Sequence, residues 1–181
     1  ARDHGTTLYQ EIERLLDNDV FAPVRGPLQT KFAYADLPLA AEKSPAEIEV
    51  MQQGPAQWKR WAGSQLMERY QTGEPWPQSY AAPFAVWQFG SDLTLVGLSG
   101  EVVVDYVSML TQSLGPLNLW IAGYSNDVFG YLPSARVLRE GGYETRGLYG
   151  GDQFDPSVET VVVNHVRELA IAAGRTVSVK E

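Results

Sequence analysis

The chain has 181 residues, 44% of them apolar, with 5 Trp and 9 Tyr, which suffices for one packed domain or one lobe of a larger one and excludes wholesale disorder. A formal charge of −8, with no cluster of Lys or Arg, excludes an electrostatic nucleic-acid surface, and the longest apolar run is far short of a membrane span. The lack of cysteine excludes a disulfide framework, Cys-ligated zinc and a thiol nucleophile.

Thr7 to Asp19 carries Leu8, Ile12, Leu15 and Leu16 on one stripe, the spacing of an amphipathic helix, and Pro23, Gly26 and Pro27 break it. Leu28 to Leu37 sets Leu28, Thr30, Phe32 and Tyr34 in alternation with Gln29, Lys31 and Ala33, as a strand does. Ser44-Pro45-Ala46-Glu47 is a capping box with Pro at the first helical position. A short helix to about Gly54 follows, and Pro55 opens a second one to about Gln71. Thr72 to Pro83, rich in Pro, Gly, Trp and Tyr, reads as a long connection of the kind that often carries function. The tryptophans Trp58, Trp61, Trp76 and Trp87 read as core.

Phe84–Phe89 and Leu93–Leu98 predict a hairpin around Gly90-Ser91-Asp92. Val102 to Leu114 has helical spacing, stopped by Gly115-Pro116, and Leu117 to Ala122 is an apolar run of strand length. Strand, helix and strand over some thirty residues predict a βαβ unit with two parallel strands. Ser134 to Glu140 predicts a short helix, and Gly141 to Asp155 a glycine-rich loop. Asp155-Pro156 caps a last helix through Ala173, and Val177 with Val179 offers a closing strand. The expected fold class is α/β: a mixed β-sheet with at least one βαβ unit and one β-hairpin, helices packed on the sheet.

Ligands of parallel sheets bind beyond the carboxyl ends of the strands. Glu101 lies just past Leu93–Leu98, and Tyr124, Ser125, Asn126, Asp127 and Tyr131 lie just past Leu117–Ala122, so one sheet edge gathers them. A carboxylate there can ligate a divalent cation or act as a general base. A phenol can donate to a developing oxyanion, or bind a metal as phenolate where the cation offsets the cost of ionising it.

These residues sit in L-S-G-E-V-V-V-D-Y (98–106) and G-Y-S-N-D-V-F-G-Y-L-P-S (123–134), followed by E-G-G-Y-E (140–144). Over Phe84 to Glu144 the chain resembles the neutral/alkaline (non-lysosomal) ceramidase family, in the later part of its catalytic domain. The most specific signal is Tyr143-Glu144, twelve residues after Tyr131. The resemblance implies hydrolysis of an N-acyl amide such as ceramide at a zinc ion held by two histidines, a glutamate and a tyrosine. Glu101 resembles the glutamate ligand, Tyr131 the tyrosine ligand, and Tyr143 a catalytic tyrosine that stabilises the oxyanion. Asn126 matches an asparagine of the same loop.

The family's histidine ligands, and its serine in a Gly-Asp-x-Ser-Pro context, have no counterpart in this chain. His4 and His165 do not fit the histidine positions, and Pro133-Ser134 stands where the family has Thr-Thr. The chain thus resembles the C-terminal portion of a larger hydrolase catalytic domain, of a divergent bacterial branch of the family, which implies completion by an N-terminal remainder of the same polypeptide. The resemblance also implies a lipid-like or small N-acyl amide substrate and a secreted or periplasmic location.

Plainer readings stand beside these. Glu101 could be a first-turn carboxylate at a helix N-terminus, Tyr131 a loop aromatic, Tyr143 a packed turn residue and Asp127 turn chemistry. His165 reads as a satisfied core histidine and His4 as solvated, and a role facing lipid is open to Trp76 and Tyr80. Gly147 to Gly151 lacks the Lys and context of a phosphate loop. A non-catalytic binding or assembly domain that keeps the fold is the alternative function. A small hydrolase using Glu101 and Asp127 as an acid/base pair is a third.

Overall fold

The computed structural model describes residues 1–18 and 20–177. Four strands make a mixed sheet in the order β1 (Leu28–Pro38), β2 (Ser79–Phe89), β3 (Leu93–Gly97) and β5 (Leu119–Ala122). The first two pairings are antiparallel and β3 runs parallel to β5. The hairpin is β2–β3, and the βαβ unit is β3, α4 (Asp105–Leu114) and β5. A second, two-stranded parallel ladder joins β4 (Glu101–Val102) to β6 (Tyr131–Leu132).

One sheet face holds the core. Ala35, Leu37, Ala82, Phe84, Val86, Val96 and Leu98 are buried beneath Tyr106, Leu110 and Leu114 of α4 and Val158, Val162 and Val166 of α6 (Val158–Ala172). The alternating pattern of β1 therefore works in the sense opposite to its bulk. The small residues Ala33 and Ala35 face the helices, while Phe32 and Tyr34 stand out in solvent, 55% and 62% exposed. By register, Trp87, Leu95 and Trp120 share that outer face.

The first predicted helix is α1 (Arg2–Asp17), whose expected end at Asp19 lies outside the described residues. None of its side chains is buried, and its stripe of Leu8, Ile12 and Leu16 is open to solvent. The capping box forms as expected: the Ser44 hydroxyl accepts from the Glu47 amide, and the Glu47 carboxylate accepts from the Ser44 amide. It starts α2 (Pro45–Gln53), and α3 (Gln57–Thr72) follows, closed by Gly73 in the left-handed conformation.

The predicted connection from Thr72 to Pro83 is shorter, because β2 already begins at Ser79 and carries Pro83 opposite Tyr34. At that level the paired register of β2 with β3 has ended, and the Pro83 carbonyl accepts instead from the Ser99 hydroxyl. Asp155 does not cap α6 directly. It accepts from the amide and hydroxyl of Ser157 in a turn before the helix. Of the expected closing strand, Val177 is no part of a strand and Val179 lies outside the described residues. Among the described residues, no helix is long and apolar enough to cross a membrane.

Candidate functional site

Past its last paired residue β3 continues through Leu98, Ser99 and Gly100, and a run of backbone hydrogen bonds carries it into the site. The Leu98 amide donates to Ala122, Gly100 to Asp127, and Glu101 to Gly130 at 2.7 Å. Glu101 is thus a strand residue paired in register with Tyr131, which corrects its reading as a first-turn helix carboxylate. The cause is the pairing with β6: Val102 lies opposite Leu132 and the Val103 amide donates to the Leu132 carbonyl, so Val104 is the N-cap and the helix starts later, at Asp105. Tyr131 is likewise on a strand rather than in a loop.

A further backbone bond, from the Tyr131 amide to the Gly147 carbonyl at 3.1 Å, brings in the glycine-rich segment. It contains the 3-10 turn Tyr143–Arg146. The turn sets the Tyr143 ring edge-on to Tyr131, with centroids 5.3 Å apart and an interplanar angle of 86°. The three residues singled out in the sequence therefore meet. Glu101 and Tyr131 are neighbours on the ladder, and Tyr143 touches the tyrosine.

They line a cavity of about 210 Å³ together with Trp58, Trp61, Arg146 and Tyr149. Burial, and then the Glu101 carboxylate beside it, push the Tyr131 phenol well above its ordinary range. Glu101 also raises Tyr124, whose exposed ring reaches the same carboxylate from a backbone with φ of 53°. Both phenols are held protonated, as donors.

The sequence missed the wall contributed by α3. Trp58 is half-buried and Trp61 is 51% exposed, so neither is a core residue; both line the cavity. The other two tryptophans expected in the core are half-buried: Trp76 lies under the Arg69 guanidinium, at 5.2 Å, and Trp87 belongs to the outer sheet face. Arg146 was missed too. Its Cζ lies 3.4 Å from the Tyr143 ring centroid and 4.8 Å from that of Trp58. A helical Trp at this spacing looks the same in sequence whether it faces a core or a cavity. Only the tie between α3 and the glycine-rich segment decides it. That tie is the ion pair of Arg69 with Asp152 at 2.6 Å, the two side chains only 16% and 10% exposed.

Asp127 accepts a 2.7 Å hydrogen bond from the Tyr80 phenol, so it buttresses the loop. Tyr80 is itself half-buried against Phe129. His165 packs against Phe84, and its Nε2 is buried with no hydrogen-bond partner among the described residues, so it is not the satisfied histidine expected. His4 is exposed on α1.

A zinc ion tests the donor set directly. Tight sites take three or four ligands. Glu101 and Tyr131 supply two oxygens, and no group of three His, Cys, Asp or Glu that could hold a metal comes together among the described residues. The residues present do not by themselves make a zinc site.

No family model matches the chain, and no curated protein does. Among solved structures it is similar to a ceramidase complexed with C2, with a TM-score of 0.48 and 13% identity over 87% of this chain. The match takes in 32% of that structure, so the chain spans about a third of its length. At that identity and score, the functional reading has to rest on the residues.

Proposed function

We propose that the chain is the C-terminal part of a zinc-dependent amidohydrolase resembling neutral ceramidase, and that it is inactive alone. The observation that supports this most is the β4–β6 register. It sets Glu101 beside Tyr131, with the Tyr143 ring against the tyrosine, in one cavity. These are the residues that resemble the family's carboxylate ligand, phenol ligand and oxyanion donor. In the intact enzyme zinc would lower the pKa of a bound hydroxyl or water and polarise the amide carbonyl. Within this chain Glu101 and Tyr131 would occupy two ligand positions, and Tyr143 would donate to the oxyanion. The histidines and the nucleophile would come from the preceding part of the same polypeptide. The substrate would be a lipid-like or small N-acyl amide met outside the cytoplasm.

The test compares the 181-residue chain with a polypeptide that includes the sequence preceding it, using an N-acylsphingosine and measuring released amine. The chain alone gives no turnover. The longer protein does, and Glu101→Gln or Tyr131→Phe lowers its kcat by about 100-fold or more, the scale of losing one preorganised electrostatic contact. Turnover by the chain alone, or an undiminished Glu101→Gln variant of the longer protein, would sink the proposal.

A second reading, a binding or assembly domain without chemistry, draws on a different feature. The outer sheet face and the stripe of α1 leave Phe32, Tyr34, Trp120, Leu8 and Leu16 open to solvent. Apolar residues gathered on one face, rather than scattered singly, mark an interaction site.

A further inference from the structure

Arg146 has no role in the chemistry proposed above, yet it is the cation of the cavity. The chain is acidic overall. Of its other partly buried arginines, Arg69 pairs with Asp152, Arg175 donates to the Leu114, Gly115 and Leu117 carbonyls, and Arg167, on α6, is no part of this cavity. Arg146 forms no ion pair among the described residues, and its Nε is buried without a hydrogen-bond partner there. What holds it is aromatic: the ring of Tyr143 at 3.4 Å and that of Trp58 at 4.8 Å. A stacked guanidinium is fixed through its face and keeps its N–H edge in plane. Nε is enclosed, but the two Nη groups are not, and they too have no hydrogen-bond partner among the described residues, so the end of the fork is left for an acceptor.

We propose that Arg146 makes the Trp58–Tyr143 side of this cavity a carboxylate-binding site. The planar fork of a guanidinium matches a planar carboxylate through two parallel hydrogen bonds, and the flanking rings suit the apolar carbons behind it. The Tyr131–Tyr143 pair separates this group from Glu101: Tyr131 adjoins the glutamate and Tyr143 adjoins the arginine. The cavity, about 210 Å³, is below the ~300 Å³ at which sites for drug-sized ligands begin. It therefore takes the acid head and a few carbons, and a longer chain must extend outside. The inference deepens the hydrolase reading and rests on it for its biological sense, because a carboxylic acid is what amide hydrolysis leaves on the acyl fragment.

The test needs no turnover. Butyrate is titrated into the 181-residue chain and followed by tryptophan fluorescence and calorimetry, with butyramide, its neutral counterpart, and inorganic phosphate in parallel. Saturable binding of butyrate is expected, with butyramide and phosphate weaker. Arg146→Gln weakens butyrate by about tenfold or more, the worth of a charge-assisted hydrogen bond, and Arg146→Lys, which keeps the charge but loses the fork, falls between. Equal binding by Arg146→Gln, equal binding of butyramide, or no binding of butyrate overturns the assignment. Should Arg146→Gln fail to fold, Glu101→Gln decides. Removing the cavity's own negative charge tightens butyrate if the site is here, and unchanged or weaker binding refutes it. Carboxylate binding without amide turnover in the longer protein would refute the hydrolase reading alone, and turnover without carboxylate binding would refute this inference alone.

Discussion

Replacing Gly130 by alanine tests whether the site is held by backbone rather than by side chains. Gly130 has φ of 132°, and a Cβ there would fall onto the carbonyl oxygen of Gly147, with the carbonyl carbon 3.2 Å away. That oxygen is the acceptor for the Tyr131 amide, so relief of the clash moves the segment carrying Tyr143 and Arg146 away from β6. Two costs follow. A backbone conformation this far from the L-residue regions costs about 1–3 kcal/mol, and losing one hydrogen bond adds about 0.5–1.5 kcal/mol. The sum, roughly 1.5–4.5 kcal/mol, corresponds to a Tm lower by about 3–18 °C for a domain of this size. Gly141→Ala is the control. Its φ is 78°, but a Cβ there meets nothing within 4 Å, so it carries the backbone cost alone. Urea unfolding of both variants gives the difference, and near-ultraviolet circular dichroism reports whether the Tyr131–Tyr143 pair survives. Should Gly130→Ala cost no more than Gly141→Ala and leave the aromatic signal unchanged, the contact between β6 and the glycine-rich segment would not be what builds the site.

Asp152→Asn removes the charge that ties the glycine-rich segment to α3 through Arg69. A loss of about 1.5–3 kcal/mol is expected, the worth of hydrogen bonds to a charged group, with faster amide exchange at Leu148 and Gly151, whose amides close that turn. Unchanged exchange would show that the pair does not hold the loop. The Tyr80 phenol is pushed up to about 12 by burial and by the Asp127 carboxylate that accepts its hydrogen bond. Because the folded value lies above the unfolded ~10, the stability it contributes is complete below pH ~10 and is lost as pH rises through 12. Asp127→Asn removes the second of the two causes, so tyrosinate absorbance of the variant rises at lower pH and its alkaline loss of stability is shallower. Superimposable titrations of the two proteins would contradict the assignment of Asp127 to Tyr80.

The site was legible where sequence position and sheet topology coincide. Glu101 and Tyr131 are thirty residues apart, but each follows a strand of the βαβ unit, and parallel pairing of β3 with β5 brings their ends together. Tyr143 was legible only through its spacing from Tyr131; nothing local marks a 3-10 turn that faces back to β6. Trp58, Trp61 and Arg146 were not legible, because their place depends on how α3 docks on a segment nearly ninety residues later. The strand β1 shows the converse. Its alternation was clear, but which face is inner depends on the helices: the close approach of α6 selects the alanine side, and the aromatic side is left outward. The late start of α4 was missed for a simpler reason. Val102 to Val104 fit the apolar spacing of a helix as well as they fit extended chain, and pairing with β6 settles it.

The direction of the Tyr131 shift bears on what this cavity can do. A phenol raised by burial and by a neighbouring carboxylate is a better proton holder and a reluctant anion. In the chain as it stands, Tyr131 and Tyr124 are therefore neutral phenols beside Glu101, and the donor surface open to an incoming group is that of Tyr143 and Arg146 across the ring pair. That is an arrangement for receiving oxygen atoms: a carbonyl, an oxyanion or a carboxylate. Converting Tyr131 from donor to ligand takes a cation whose attraction exceeds both causes of the shift, and two oxygens do not hold such a cation alone. An acceptor would meet these groups as they stand, whereas the zinc proposed above would need further ligands, since no group of three His, Cys, Asp or Glu comes together among the described residues.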